Sequence, residues 1–287
     1  MRVAHLIMVH KNPAQVLRLA EKLNHPNFDI FVHVDAKVDI VQFEVLKSVP
    51  NLYFIKNRSE CNWGGFSLFQ GIINCIKQIL TAPDEYDFIN MISGQDYPLY
   101  SAQYIYDYLK ERKETIFLSF EDSSDTEWWK KAADRYEKYH FTDFNIRGRY
   151  FFERIVNMFV PKRKFPGNLE LFGGNKSCWW TLTNESAKYV IEKLDNSPKL
   201  LSFLKFCWGT DEFVIPTLIM NSPLKAKVVN DNLRYIDWSE GNPRPKLLRA
   251  GNITDISESK MLFARKFDIE IDDSILDEID ERSLKIV

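Results

Sequence analysis

A few short stretches of this 287-residue chain have residue types and spacing that could do chemistry. Phe88 to Pro98, FINMISGQDYP, is an apolar run that breaks into a polar turn and presents Gln95 and Asp96. In an α/β sheet such a turn delivers side chains to the crevice at the strand ends. His10 falls at the end of another apolar run, Val3 to Val9. Trp63-Gly64-Gly65-Phe66-Ser67 opens a predicted helix, and a helix N-terminus behind two glycines can receive an anion. A plain turn and cap explains the same residues and is the favoured reading from spacing alone. Asp211 and Glu212 are adjacent carboxylates in a predicted first helical turn, where the helix dipole by itself accounts for them. Arg265 and Lys266 are paired cations between Phe263 and Phe267, and a solvated helix face would carry them equally well.

Other chemistries are excluded by what is missing. The chain has no P-loop, no H-E-x-x-H and no G-x-S-x-G. Its cysteines, Cys61, Cys75, Cys178 and Cys207, include no C-x-x-C pair and are expected to be free thiols. His5 and His33 fall on predicted strands and belong to the core, and no histidine pair has the spacing of helical metal ligands. A net charge of −2 argues against a generic nucleic-acid binder. No stretch approaches the ~20 apolar residues of a membrane span, and the N-terminus does not read as a signal peptide. The expectation is a cytoplasmic protein, with room for peripheral association at the inner face of a membrane.

The elements that must position these residues follow the pattern strand, helix, strand, helix, strand over Val3–Val9, Ala14–Leu23, Phe28–Val34 and Asn51–Ile55. That is the opening of a parallel sheet with crossover helices, without the G-x-G-x-x-G of dinucleotide binders. Further helices are expected at 68–80, 102–109 and 184–194, a strand at 115–120, a buried strand opening 88–98, and a glycine turn running into a strand over 171–183. Residues 121–166 break the pattern, being dense in aromatics and bases without clean periodicity. They read either as an irregular, partly helical insertion packed on the sheet or as a platform for sugar acceptors. The whole chain, 1–287, is expected to be one α/β domain, less regular from about residue 230.

Metal-dependent nucleotide-sugar transferases of this architecture hold their cation with Asp-x-Asp, and this sequence contains no Asp-x-Asp. HVDAK at 33–37, WGGFS at 63–67, FINMISGQDYPL at 88–99, GTDEF at 209–213 and LFARKFD at 262–268 occur in order. Together they resemble the core-2/I-branching β-1,6-N-acetylglucosaminyltransferase and peptide O-xylosyltransferase family, over nearly the whole chain.

The resemblance implies a GT-A-like, Rossmann-like fold and a metal-independent, inverting transfer of N-acetylglucosamine or xylose. The donor would be UDP-GlcNAc or UDP-xylose and the acceptor a hydroxyl of a glycan or glycolipid, with no other cofactor. By position it makes Glu212 the general base and Lys266 a diphosphate cation. The second cation is Lys246, ahead of Arg244 and Arg249. His10 and Asp35 fall where the family binds the nucleoside, and Asp96, Trp179, Trp180, Tyr235 and Trp238 are candidate contacts to donor sugar or acceptor, with Asp96 alternatively fixing its turn. The segment 121–166 does not align with the family, and the chain carries no counterpart of the anchor and disulfides of animal members. The alternative is a non-catalytic carbohydrate or nucleotide-sugar binding module that kept the fold. A sugar nucleotidyltransferase is disfavoured because no glycine precedes Gly64.

Overall fold

The first two apolar runs form strands covered on both faces, Val3–Val9 (β1) and Phe28–Val34 (β2), each buried at every residue. Burial on both sides is why they read as nearly continuous apolar stretches. The computed structural model describes residues 1–121 and 126–283. Within them the remaining strands are Leu52–Phe54 (β3), Phe88–Ser93 (β4), Asp96–Pro98 (β5), Ile116–Leu118 (β6), Trp180–Thr183 (β7), Val228–Val229 (β8), Arg234–Ile236 (β9) and Phe263–Arg265 (β10). The α-helices are Pro13–Lys22 (α1), Phe66–Leu80 (α2), Ala102–Lys110 (α3), Glu127–Glu137 (α4), Arg149–Phe159 (α5), Asn184–Asp195 (α6), Pro198–Leu204 (α7), Val214–Met220 (α8), Ile253–Glu258 (α9) and Ser274–Ser283 (α10).

Seven strands form one sheet in the order β3-β2-β1-β4-β7-β6-β8. The pairs β3/β2, β2/β1, β1/β4 and β6/β8 are parallel, and β7 runs antiparallel to both neighbours. This is the α/β, Rossmann-like and mostly parallel sheet that the sequence predicts. Alternate residues feed opposite layers. Leu6, Met8, Ile89 and Met91 pack with α2, α6 and α8. Val3, Ile7, Val9 and Ile92 pack with α1, α3 and α10.

The strand order reverses direction between β1 and β4, which places the crevice at their C-terminal ends. Those ends carry His10 after β1 and the Gly94-Gln95-Asp96 turn after β4. The β7 register sets Thr181 opposite Asn90, which brings Trp179 and Trp180 to the same edge. A second sheet, β5-β10-β9, adjoins this edge and pairs Arg265 with Asp96 and with Ile236.

Two expectations are corrected. The helix expected between β2 and β3 is a 3-10 stretch, Ile40–Ser48, whose start is capped by Asp39. Arg265 and Lys266 are not on a solvated helix face, because Phe263–Arg265 is the middle strand of the small sheet and is buried throughout. The C-terminal helix α10 is held by Arg18, which reaches Asp277 at 2.6 Å and Asp280 at 2.7 Å. The segment 121–166 contains α4 and α5; its residues 122–125, like 284–287 at the C-terminus, lie outside the described residues.

A buried polar network joins the two sheets. Asn90 Nδ2 meets His5 Nδ1 at 3.0 Å, and Asn90 Oδ1 accepts from the Thr181 hydroxyl at 2.9 Å. The fully buried Arg234 guanidinium also donates to Asn90 Oδ1 and, at 2.6 Å, to the Met91 carbonyl. Burial and the Arg234 charge push the His5 imidazole down to about 3, so the ring is neutral and can accept. Truncating Asn90 strips partners from His5, Thr181 and Arg234 at once. Asn90→Ala should therefore lower stability by about 3 kcal/mol in urea denaturation, and a loss under about 1 kcal/mol would show that the network is dispensable.

Candidate active site

The crevice opens as a cleft of about 880 Å³. His10 and Lys11 from the end of β1, Gln95 from the turn after β4, and Lys266 and Asp268 after β10 form one side. The loop 240–247, with Arg249 and Asn252, forms the other. Five of the lining residues are Lys or Arg (Lys11, Arg244, Lys246, Arg249, Lys266) and two are acidic (Glu240, Asp268), so the cleft is a cationic trough in a chain of net charge −2. Such a trough concentrates anions.

The cations differ in what holds them. Lys11 Nζ is 2.5 Å from Asp268, and Lys246 Nζ is 3.6 Å from Asp237. Lys266 has no carboxylate within ion-pair distance among the described residues. Burial, with Arg265, Arg244 and Lys11 nearby, lowers its ammonium to about 8. Partial burial and the Lys11 charge hold His10 below the ordinary imidazole value.

The carboxylate pair does not line the cleft. Thr210–Glu212 is a single 3-10 turn before α8 rather than a first α-helical turn. Glu212 pairs with Arg135 of α4, whose guanidinium lies between two indoles, 4.9 Å from the Trp128 ring and 4.5 Å from that of Trp208. Gly209 makes room for this pair. It has φ +64°, and a Cβ there would stand 2.7 Å from Arg135 Nη1. Burial raises the Glu212 carboxyl to about 7, opposed by Arg135 and reinforced by Asp211. Burial raises Asp211 as well. Adjacent carboxyls sharing one cation lose their protons as a pair.

Two sets of contacts lie around the carboxylate pair and the cleft. In one, Arg265 stacks 3.7 Å from the Trp179 ring, next to Cys178. Burial raises the Cys178 thiol, with Asp211 and Glu212 acting in the same direction and Arg265 against them. In the other, Arg244 lies 5.8 Å from the ring of Trp63, and Trp63 meets Trp208 edge-on at 5.2 Å. Trp63 is 57% exposed, which leaves an open indole face between cleft and base.

The structure brings His10, Lys246 and Lys266 to the cleft, while Glu212 does not line it and is linked to it through Arg135, Trp208, Trp63 and Arg244. Asp35 is elsewhere. Its carboxylate accepts the backbone N–H of Lys37 at 2.9 Å and of Cys61 at 3.3 Å and does not line the cleft. Direct substrate contact by Asp96 and Trp180 is corrected. Asp96 is fully buried and accepts from the Ser93 amide at 2.8 Å and the Ser93 hydroxyl, so it fixes the turn. Trp180 is 1% exposed and packs in the core. Trp179 is covered by Arg265. Tyr235 and Trp238 are half-buried, on β9 and just beyond it, and neither lines the cleft. The helix N-terminus at Ser67 is already occupied. Asp143 accepts its amide at 2.8 Å and its hydroxyl at 2.6 Å.

Arg135, Lys11 and Trp63 are the site residues not assigned from sequence. Lys11 adjoins His10, and Trp63 lies in one of the motifs. Arg135 sits in the segment without periodicity and had no signal beyond composition.

Comparison with known proteins is consistent across families of sequence. The model of the Core-2/I-Branching enzyme family matches residues 3–262. A xylosyltransferase of Ciona intestinalis is 23% identical over 97% of this chain and 34% of its own length. Xylosyltransferase 2 of Mus musculus is 25% identical over 83% of this chain and 27% of its own length. The chain thus spans about a third or less of these relatives. Among solved structures, mouse xyloside xylosyltransferase 1 in its apo form has a TM-score of 0.38 at 11% identity, covering 91% of this chain and 97% of that one. With a family model matched across nearly the whole chain, the protein belongs to the Core-2/I-Branching enzyme family.

Proposed function

We propose that this chain is a metal-independent, inverting glycosyltransferase that moves a sugar from a UDP-sugar to a hydroxyl of a glycan or lipid-linked oligosaccharide. The observation that carries the reading is a half-buried carboxyl raised toward neutrality, Glu212, joined through Arg135, Trp208, Trp63 and Arg244 to a trough of five cations. Glu212 takes the acceptor's hydroxyl proton as that oxygen bonds to the anomeric carbon. The bond from that carbon to the phosphate oxygen breaks, and its electron pair leaves on UDP. Lys266, with Arg244 and Lys246, neutralises the departing diphosphate. N-acetylglucosamine and xylose are the donor sugars proposed, and relatives named xylosyltransferases support keeping xylose.

A second reading, a binding module without turnover, draws on the closed ion pair between Glu212 and Arg135. An acceptor or donor must open or share that pair before the carboxylate can take a proton.

The central test is UDP release from UDP-GlcNAc and UDP-xylose with acceptor mixtures in EDTA. The wild type should turn over, and Glu212→Gln should lose at least about 100-fold in kcat. A requirement for divalent metal, or full activity in Glu212→Gln, would sink the mechanism. Calorimetric UDP binding without any turnover would instead favour the module.

The pH profile has a definite sign. Glu212 must be deprotonated to act, so kcat/KM should rise with an apparent pKa near 7. Arg135 lowers that pKa, so Arg135→Met should move the acid limb to higher pH, and a move to lower pH would contradict the assignment. Lys266 is lowered to about 8 when no anion neutralises it, and bound diphosphate should raise it. UDP affinity should then fall as pH rises above 8, with proton uptake on binding seen in calorimetry across buffers of different ionisation enthalpy. Lys266→Met should abolish the uptake, and uptake retained in that variant would assign it to another group.

A further inference from the structure

Helix α5 is built inside out. Arg149, Glu153 and Asn157 recur every four residues and turn inward. Glu153 accepts the Phe141 amide at 2.8 Å, and Asn157 bonds both the amide and the carbonyl of Tyr139 at 2.8 Å. Arg149 donates to the Thr142 carbonyl at 3.1 Å. The apolar residues point outward, with Phe151 at 65%, Phe152 at 51%, Met158 at 67% and Phe159 at 76% exposure. No residue of this helix is buried. Of the 15 exposed large hydrophobic residues among those described, eight lie between Phe144 and Val160. A soluble helix puts its apolar stripe on the core, so a reversed stripe marks a surface meant to be covered.

The charge around the stripe indicates what covers it. Residues 144–166 carry six bases and one acid in a chain of net charge −2. Arg147, Arg154 and Lys164 are exposed and, among the described residues, have no ion-pair partner. Aromatic and aliphatic side chains at the level of unpaired bases suit a bilayer surface, with the rings in the acyl boundary and the cations on anionic headgroups. No helix among the described residues is long and apolar enough to cross a membrane, so α5 can only lie on one.

We infer that α5 docks this protein in-plane onto an anionic membrane surface. Its inner face packs on the segment that reaches the base. Phe144 stacks on Phe206 at 5.6 Å, and His140 donates its amide to the Phe206 carbonyl at 2.9 Å, two residues before Trp208. Docking would hold that side of the site against the headgroups, where a lipid-linked acceptor would be presented. The docking itself does not depend on the transferase reading.

The test is co-sedimentation of the full chain with vesicles of phosphatidylcholine alone and of phosphatidylcholine with phosphatidylglycerol at 3:1. The wild type should partition roughly 100-fold more strongly onto the anionic vesicles, and 0.5 M salt should remove most of that preference. Phe151→Ser with Phe159→Ser, and separately Arg147→Glu with Arg154→Glu, should each cut binding at least tenfold (~10-fold) with an unchanged thermal midpoint. Absence of wild-type binding at low salt would overturn the proposal, as would full binding by both variants. Light scattering that found a wild-type dimer made monomeric by the phenylalanine variant would also overturn it, by assigning the face to a second copy of the chain. UDP binding and turnover are read separately, so loss of docking and loss of catalysis are distinguishable.

Discussion

Like-charge crowding at Lys266 is the constraint to which the rest of the site responds. Its ammonium is half-buried among Arg265, Arg244 and Lys11, which lowers its affinity for a proton. The surrounding structure relieves some of these cations and not others. Asp268 holds Lys11 at 2.5 Å, and Arg265 spreads its charge over the Trp179 face at 3.7 Å with Asp96 at 3.8 Å behind it. Among the described residues Lys266 and Arg244 have no ion-pair partner, which is the electrostatic form of a site suited to an anion.

At the carboxylate pair the opposite perturbation operates. Asp211 and Glu212 are raised by burial while Lys266 in the cleft is lowered, so the carboxyls and the ammonium shift in opposite directions. Arg135 supplies a local partner that keeps Glu212 from being wholly neutral, and the two indoles fix the guanidinium in place. The positions depend on the small sheet, because β10 delivers Arg265 and Lys266 only while paired between β5 and β9.

The segment between β6 and β7 does two physically different jobs. Inward, Arg135 meets the base and Asp143 caps α2 so closely that a Cβ on Gly65 would stand 2.2 Å from its carboxylate oxygen. Outward, α5 presents an apolar stripe ringed by bases. A segment with both duties cannot show one clean period, since its polar residues answer the protein and its apolar ones face away from it.

Much of the fold was legible in the sequence. Buried parallel strands need unbroken apolar runs, so β1, β2 and β4 declared themselves, and the ends of β1 and β4 located His10 and the Gln95–Asp96 turn. The motifs carrying Glu212 and Lys266 were also readable. What the sequence could not decide was which polar residues face the crevice. Asp96 and Trp180 lie in or beside crevice-edge strands yet turn inward, because turn hydrogen bonds and core packing claim them. Arg135 reaches Glu212 from 77 positions away through tertiary packing alone. Local spacing determines periodic structure, because strand and helix repeat every few residues. Burial, pKa and partnership are set by what packs against a side chain from distant parts of the chain, and only the folded structure brings those parts together.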